Sequence, residues 1–475
     1  VHRRRKVIAS LLLAMCLMLA TLLPAFAANG ISNEQVKAAT SIARQMEDEG
    51  IVLLKNEGDF LPLKNKKVNV FGIASCDLLL SGGGSGSVTA SESVNFYEGL
   101  KHGGIRYNKD LKAVYENWKS SHSVPETGNG LIDMLLGYVQ GDGVEELPIE
   151  NITAEQMADA REYSDTALIV FGSAGTELSD LSKKDLRLNE TQRAMLDAVA
   201  SNFENVIVVF NTSNTMEMDW VEQYDTIKAA IMMWLPGQVG AESLGDVLSG
   251  KVNPSGKLTD SIAWSLSDYP TNRNFGNYQY DGTLPSILGK YFVDYEEGIY
   301  VGYRYYQTAG IEPRYPFGFG LSYTTFDFEV RSVETFQSFV TTKVKVTNTG
   351  DTYSGKAVVQ AYLSCPEGKL PKPYQQLAAY AKTPVLGPGE SVDVELRFDL
   401  RDESSFDEAT CSYILEAGDY ILLVGDSSVS TETAAVLTLE ETVTVENAKP
   451  IDRDRTVTEI RLDAKRPTAS ADAPH

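Results

Sequence analysis

The chain has 475 residues, of which 43% are hydrophobic and 23% are charged, and its formal net charge is −23. This composition is typical of a globular protein, and the length indicates two or three domains. Such a negative charge repels nucleic-acid phosphates and anionic lipid, so the sequence argues against both partners.

The first residues have the pattern of a secretory signal peptide. A basic segment at 2–6 precedes an apolar run over 7–23, and Ala25 and Ala27 form a small-residue cleavage site. We therefore expect removal of residues 1–27, export to the cell envelope or the exterior, and no membrane attachment of the mature chain. The apolar run is long for such a leader, which leaves an uncleaved membrane anchor as the alternative.

Between residues 30 and 275, short apolar strands alternate with amphipathic helices. The predicted strands cover 51–57, 67–74, 167–171, 206–210 and 227–233. The predicted helices begin at the N-cap Ser32 and cover 91–101, 154–163, 189–200 and 241–248. Near-continuous apolar strands separated by helices indicate a parallel sheet covered on both faces. The fold class expected is therefore α/β, a doubly wound and mostly parallel α/β sandwich, with an insertion at about 118–150.

The residue composition and the hydrophobic pattern change after this domain. Residues 276–326 are rich in tyrosine and glycine and form a predicted linker that closes the sandwich. Residues 327–445 have period-two hydrophobicity with turn signals, which predicts a small β-sandwich. Residues 446–475 are charged and poor in apolar groups, and are interpreted as a tail or linker.

The tyrosines of 291–306 either stack on sugar rings or fill a domain junction, and we favour the junction.

The four cysteines are too few and too scattered for a disulfide framework or a cysteine-based metal cluster. Cys16 lies in the predicted leader. Cys365 and Cys411 lie in the same late domain, so a pairing between them stays open. There is also no histidine-rich metal pattern, and we expect no metal site.

Two loops carry candidate site residues. The glycine-rich segment 81–88 follows a strand and precedes a helix, but it lacks the signature of a phosphate or dinucleotide loop. It is either a structural turn or a ligand-lining loop. Glu177 follows the strand 167–171, at the carboxyl end where ligands bind in doubly wound sheets. It is therefore a candidate catalytic acid, with a solvated loop glutamate as the alternative.

Several long motifs resemble family 3 glycoside hydrolases, in the family's order and over about residues 30–445. They are "DEGIVLLKNEGDFLPL" at 48–63, "GGGSGSV" at 82–88, "WLPGQVGAESLGDVLSGKVNPSGKL" at 234–258 and "YEEGIYVGYRYYQTAGIEPRYPFGFGLSYTTF" at 295–326. The late domain resembles that family's fibronectin-III-like module through "VTNTGDTYSGKAVVQAYLS" at 346–364 and "LPKPYQQLAAYAKT" at 370–383.

The resemblance implies a β-glucosidase-type hydrolase that acts on β-linked glucosides or oligosaccharides with two carboxylates and no cofactor. In the family the acid/base glutamate stands in a Gly-Glu-Gly-x-Asp context, and Glu177 is the matching position. Asp180, with Ser85 and Gly86 of the glycine-rich loop, is expected to line the substrate site. The sequence departs from the family at Leu178, where the glycine stands. It also departs at Leu181, where an arginine is frequent.

The family's nucleophilic aspartate lies in a (β/α)8 barrel that this sequence lacks. The chain resembles the front part of a domain-permuted member, so we expect a barrel partner in cis or in trans. Two alternatives remain: a secreted, non-catalytic module that binds carbohydrate or protein, and a truncated gene product.

Overall fold

The computed structural model describes residues 32–82, 93–123, 144–173, 175, 181–275, 278–279, 291–449, 459–462 and 466–475. The chain divides into two compact units, residues 1–45 and residues 46–475. The described part of the first unit is helical and begins at the predicted cap, where Gln35 N donates to Ser32 Oγ at 3.3 Å. None of the helices in these ranges combines the length and the apolar composition needed to cross a bilayer.

The elements of the α/β domain alternate along the chain as predicted. The helices are α1 (Asn33–Gly50), α2 (Phe96–His102), α3 (Lys109–His122), α4 (Ala154–Tyr163), α5 (Glu190–Asn202) and α6 (Ala241–Ser249). The strands are β1 (Val52–Asn56), β2 (Lys67–Phe71), β3 (Arg106–Tyr107), β4 (Thr166–Ser173), β5 (Asn205–Thr212) and β6 (Ile227–Met232).

These six strands form one sheet in the order β1-β6-β5-β4-β2-β3. All neighbours are parallel except β1, which runs antiparallel to β6 at one edge. Successive residues of β4 enter opposite cores: Ile169 packs with α3 and α5, whereas Leu168 packs with α2 and α6. Because both faces are covered, the central strands are apolar throughout. The predicted α/β class and doubly wound, mostly parallel sandwich are confirmed.

Two local predictions differ from the structure. The helix predicted over 91–101 begins only at Phe96, because the Asn95 side chain accepts from Glu98 N at 3.0 Å and caps it there. The start of the predicted insertion at 118–150 instead completes α3. On that helix Trp118 Nε1 donates to Glu145 O at 2.9 Å.

The end of that same segment is held by a buried carboxylate. Glu146 is 7% exposed. Its Oε1 accepts from Ile73 N at 3.1 Å and from Leu147 N at 3.0 Å. Burial raises the pKa of Glu146 to about 7, although the two backbone hydrogen bonds lower it in part. Glu146 therefore fixes the turn that follows β2, which leads into the glycine-rich segment.

The second domain is antiparallel and follows a short connecting region. That region contains β7 (Tyr278–Gln279), β8 (Tyr291–Phe292) and α7 (Tyr303–Ala309). The domain's strands are β9 (Phe326–Phe336), β10 (Phe339–Asn348), β11 (Val358–Ser364), β12 (Gln376–Lys382), β13 (Ser391–Asp399), β14 (Ser405–Asp407), β15 (Ser412–Leu415), β16 (Gly418–Ser427), β17 (Ser430–Leu439) and β18 (Val443–Asn447).

The main sheets have the orders β13-β10-β9 and β12-β11-β16-β17, and their inner faces share one apolar core. Cys365 and Cys411 form no disulfide in this described domain. Cys365 Sγ lies 4.0 Å from Glu403 O and Cys411 Sγ lies 3.5 Å from Glu408 O, so each thiol faces a different main-chain carbonyl.

Tyrosine side chains and lysines join the two domains. The Tyr303 ring stacks on Phe317 at 4.8 Å and meets the edge of Tyr362 at 5.9 Å. Its hydroxyl accepts from Leu377 N at 2.7 Å. For Tyr303 the junction interpretation is therefore correct.

An ionic contact supports the same junction. Lys356 Nζ lies 2.7 Å from Glu49 Oε1, and Lys382 Nζ donates to Glu49 O at 3.0 Å, at the carboxyl end of α1. Cations are favoured there by the helix dipole.

The described end of the predicted tail, 466–475, packs on the β-sandwich. Arg466 Nη2 donates to Asp419 O at 2.7 Å, and Val436 N donates to Pro474 O at 2.9 Å. An open cavity of about 750 Å³ lies between this segment and the domain.

Replacing Gly99 with alanine tests how closely α2 and α6 approach. A Cβ on Gly99 would lie 2.0 Å from Ala241 O, so the helices must separate. We expect Gly99→Ala to lower the free energy of unfolding by about 2–3 kcal/mol in urea titrations. Gly50→Ala is the control, since a Cβ there meets nothing within 4 Å. Equal stability of the two variants would contradict the close approach.

Glu146→Gln tests the buried carboxyl. The folded-state pKa of about 7 exceeds the ordinary value of 4.5, so the folded protein binds this proton more tightly. In the wild type, this group therefore lowers stability as pH rises from 4.5 to 7, by roughly 3 kcal/mol in all. Glu146→Gln should lack that decrease in urea unfolding measured from pH 4.5 to 8. The exposed Glu150→Gln should keep it, and parallel pH curves for all three proteins would refute the assignment.

Candidate active site

The candidate site lies where the parallel strands end. β4 ends at Ser173, β5 at Thr212 and β6 at Met232. Because these strands run in the same direction, the segments that follow them meet at one edge of the sheet, where doubly wound folds bind ligands.

The buried amide of Asn211 connects the segment that follows β2 with the segment that follows β6. Asn211 Oδ1 accepts from Leu79 N at 2.7 Å, and its Nδ2 donates to Leu79 O at 3.0 Å and to Trp234 O at 2.7 Å. The side chain thus satisfies main-chain groups on both sides of β5. Asn211 is 0% exposed, so each of these bonds replaces contact with water.

Further backbone contacts hold both ends of the glycine-rich loop. Gly237 N donates to Leu80 O at 2.9 Å, before the loop, and Val94 N donates to Gln238 O at 2.8 Å, after it. The segment that follows β6 therefore anchors the start and the end of the loop.

The described residues on either side of Glu177 lie close to the base of the same loop. Ser173 Oγ donates to Asn214 Oδ1 at 3.3 Å, which ties the end of β4 to the residues after β5. A Cβ built on Gly175 would lie 3.7 Å from Leu181 Cγ, so the two described ends of this segment lie close together. A Cβ built on Gly82 would lie 4.0 Å from Gly175 O. The bases of the two predicted loops are therefore neighbours.

The residues predicted to carry the chemistry are outside the described part of the chain. They are Glu177, Ser85, Gly86 and Asp180. The structure brings together the described ends of their two loops, and the roles of these four residues stay predictions.

A cavity of about 450 Å³ opens at the ends of β5 and β6. It combines hydroxyl, amide and carboxylate groups with an indole ring and aliphatic side chains. Its lining consists of Ser213, Asn214, Thr215, Met232, Trp234, Leu258, Thr259, Asp260 and Ile262.

Asp260 is the ionisable group of this lining. Solvent reaches its side chain, yet the protein atoms around it raise the pKa of the Asp260 carboxyl above its ordinary value. The hydrogen bond from Ser261 N to Oδ1, at 2.8 Å, lowers the pKa in part. The carboxyl is thus a hydrogen-bond acceptor in a partly desolvated wall.

Sequence reasoning missed Asn211 and Asp260. An asparagine at the end of an apolar strand was a usable signal for Asn211, since a buried amide needs several partners. Asp260 lies in an irregular segment with no periodic pattern, and nothing in the sequence marks it.

Within the described residues, no group of three or more His, Cys, Asp or Glu side chains is placed to hold a metal ion.

Comparison with known proteins gives relatives that are longer than this chain. β-Glucosidase A of Butyrivibrio fibrisolvens is 36% identical in an alignment 427 residues long, which covers 80% of this chain and 48% of the relative. A β-glucosidase of Ruminococcus albus is 32% identical in an alignment 419 residues long, which covers 85% of this chain and 41% of the relative. The chain therefore spans about half the length of the curated relatives it matches.

Solved structures match over both domains. A β-glucosidase from Paenibacillus barengoltzii superposes with a TM-score of 0.77 at 35% identity, covering 86% of this chain and 44% of that one. β-Glucosidase 3B from Thermotoga neapolitana, in complex with α-D-glucose, gives a TM-score of 0.74 at 30% identity, covering 86% and 55%.

Residues 357–428 match the fibronectin type III-like domain, which agrees with the β-sandwich. Residues 51–323, more than half of the chain, match the glycosyl hydrolase family 3 C-terminal domain. The resemblance predicted from the motifs is thereby confirmed, and the chain belongs to the family of glycosyl hydrolase family 3 C-terminal domains.

Proposed function

We propose that this chain supplies the acid/base half of a β-glucosidase-type glycoside hydrolase. The observation that carries the proposal is that the bases of the two loops, at Gly82 and Gly175, are neighbours. It supports a shared site for Glu177, on one loop, and for Ser85 and Gly86, on the other. The names of the relatives, and the glucose bound in the Thermotoga neapolitana structure, support a β-linked glucoside or oligosaccharide as substrate.

Glu177 carries the proton in this proposal. Its protonated carboxyl donates to the glycosidic oxygen as the bond to the anomeric carbon breaks, and its carboxylate then takes a proton from the attacking water. Asp180, Ser85 and Gly86 line the site. No cofactor is required, because two carboxylates complete the reaction.

The second carboxylate comes from a (β/α)8 barrel in cis or in trans. A retaining enzyme needs its nucleophile about 5–5.5 Å from the acid/base group. The match to a C-terminal domain, and the coverage of about half of each relative, support this division of the site. We further propose that residues 1–27 direct export, so that the protein acts outside the cytoplasm.

Glu177→Ala tests the acid/base role. The chain is mixed with the barrel of a full-length relative and assayed on an aryl-β-glucoside with a poor leaving group. We expect a loss of about 10²–10⁴-fold in kcat, since proton donation contributes that much. On a dinitrophenyl β-glucoside, whose leaving group departs without a proton, azide should restore turnover of the variant and give a glycosyl azide, because azide attacks the glycosyl–enzyme without proton removal.

Glu190→Ala is the matched control, because Glu190 is an exposed glutamate at the start of α5. It should keep full activity. Unchanged activity in Glu177→Ala would refute the assignment. If the proteins mixed with the barrel, wild type included, bind saccharide but none hydrolyses it, the result favours the non-catalytic module instead.

Asn211→Ala tests whether the buried amide fixes the loops. The variant leaves Leu79 N and two carbonyl groups without their partner, so we expect about 2–3 kcal/mol lower stability. Residues 83–92 should also become more sensitive to proteinase K, read by mass spectrometry. Asn202→Ala, on α5, removes a less buried amide and is the control. Identical cleavage patterns in the two variants would contradict this role.

A further inference from the structure

The cavity at the ends of β5 and β6 has the composition of a ligand site. Its volume of about 450 Å³ lies within the ~300–1,000 Å³ typical of small-molecule pockets. Polar groups from Ser213 and Thr259 share its wall with the aliphatic side chains of Leu258 and Ile262. A ligand with both hydroxyl groups and apolar C–H faces would match such a wall.

The charge of the lining restricts the ligand further. It contains the carboxylate of Asp260, and in the described part of the chain it includes no lysine, arginine or histidine. An anionic ligand would be repelled without compensation. A neutral molecule with several hydroxyl donors would instead satisfy the carboxylate, whose one donor among the described residues is Ser261 N.

Trp234 adds an aromatic surface held in an unusual conformation. Its φ is 51°, in the left-handed region that non-glycine residues rarely adopt. Two hydrogen bonds maintain it: Nε1 donates to Gly50 O at 3.1 Å, and its carbonyl accepts from Asn211 at 2.7 Å. Strained residues held in this way cluster at ligand-binding positions.

The cavity is also close to the loop of the proposed acid. Asn214 lines the cavity and accepts from Ser173 Oγ. Glu177 is four residues further along the chain, hence within about 14 Å of Ser173 even if fully extended.

We propose that this cavity binds one neutral sugar residue, with Asp260 accepting hydrogen bonds from its hydroxyl groups and Trp234 contacting its apolar face. The choice of a glucosyl ligand rests on the proposed function. The position of the site rests on the described lining of the cavity.

The test is a titration of the full chain with cellobiose, in which binding is measured by ligand-observed NMR. Asp260→Ala should weaken binding at least tenfold, since hydrogen bonds to a charged acceptor are the strong ones. Asp260→Asn should fall between the wild type and Asp260→Ala. Asp225→Ala, at an exposed aspartate outside the lining, should bind as the wild type does. Thermal unfolding of each variant establishes that the fold is retained.

The proposal is overturned if the wild type does not bind cellobiose, or if Asp260→Ala binds it as tightly as the wild type. Equal affinity for glucose 6-phosphate would also overturn it, because the lining should exclude an anion. Glu177→Ala separates this result from the proposed function. Suppose that Glu177→Ala leaves turnover of the complemented enzyme unchanged and that Asp260→Ala abolishes cellobiose binding. The acid/base role of Glu177 is then refuted, and the sugar site at Asp260 is supported.

Discussion

The arrangement of the candidate site depends on one buried side chain. Asn211 sits at the end of a central strand and bonds main-chain groups that precede the glycine-rich loop and follow β6. These main-chain groups lie outside the strands, so the hydrogen bonds between strands do not include them. Without the amide they would be buried without partners, which costs more than an ordinary hydrogen bond contributes. The hydrogen bonds of a buried amide therefore fix the bases of the loops, whereas the burial of apolar side chains stabilises the sheet that carries them.

A second buried polar group extends the same principle. Glu146 bonds the turn after β2 from the far end of a segment that the sequence marks as an insertion. Burial of this carboxyl raises its pKa, because the contact is made at the cost of removing the charged form from water. The glycine-rich loop thus begins from a turn held by Glu146 and a residue held by Asn211. Both side chains bond backbone atoms of the described residues that lead into the loop.

The electrostatics of the site suit a neutral ligand. The chain is strongly acidic, and the cavity at the carboxyl edge contributes a carboxylate where many α/β proteins place groups that bind anions. In the proposed function this edge holds a proton donor and hydroxyl-binding groups, and the attacking group comes from another domain. The β-sandwich packs on the connecting region through Tyr303 and bonds the end of α1 at Glu49, so it forms part of the same support.

The sequence by itself determined the layers. Apolar runs such as 206–210 and capped helices such as that beginning after Asn189 have local signals, because burial on two faces and capping are properties of neighbouring residues. Long motifs likewise identified the family and marked Glu177. Only the tertiary structure decided that β1 runs antiparallel and that Gly82 lies close to Gly175. It also decided that Asp260 reaches a cavity beside Trp234. These facts depend on contacts between residues far apart in the chain, which no local pattern encodes.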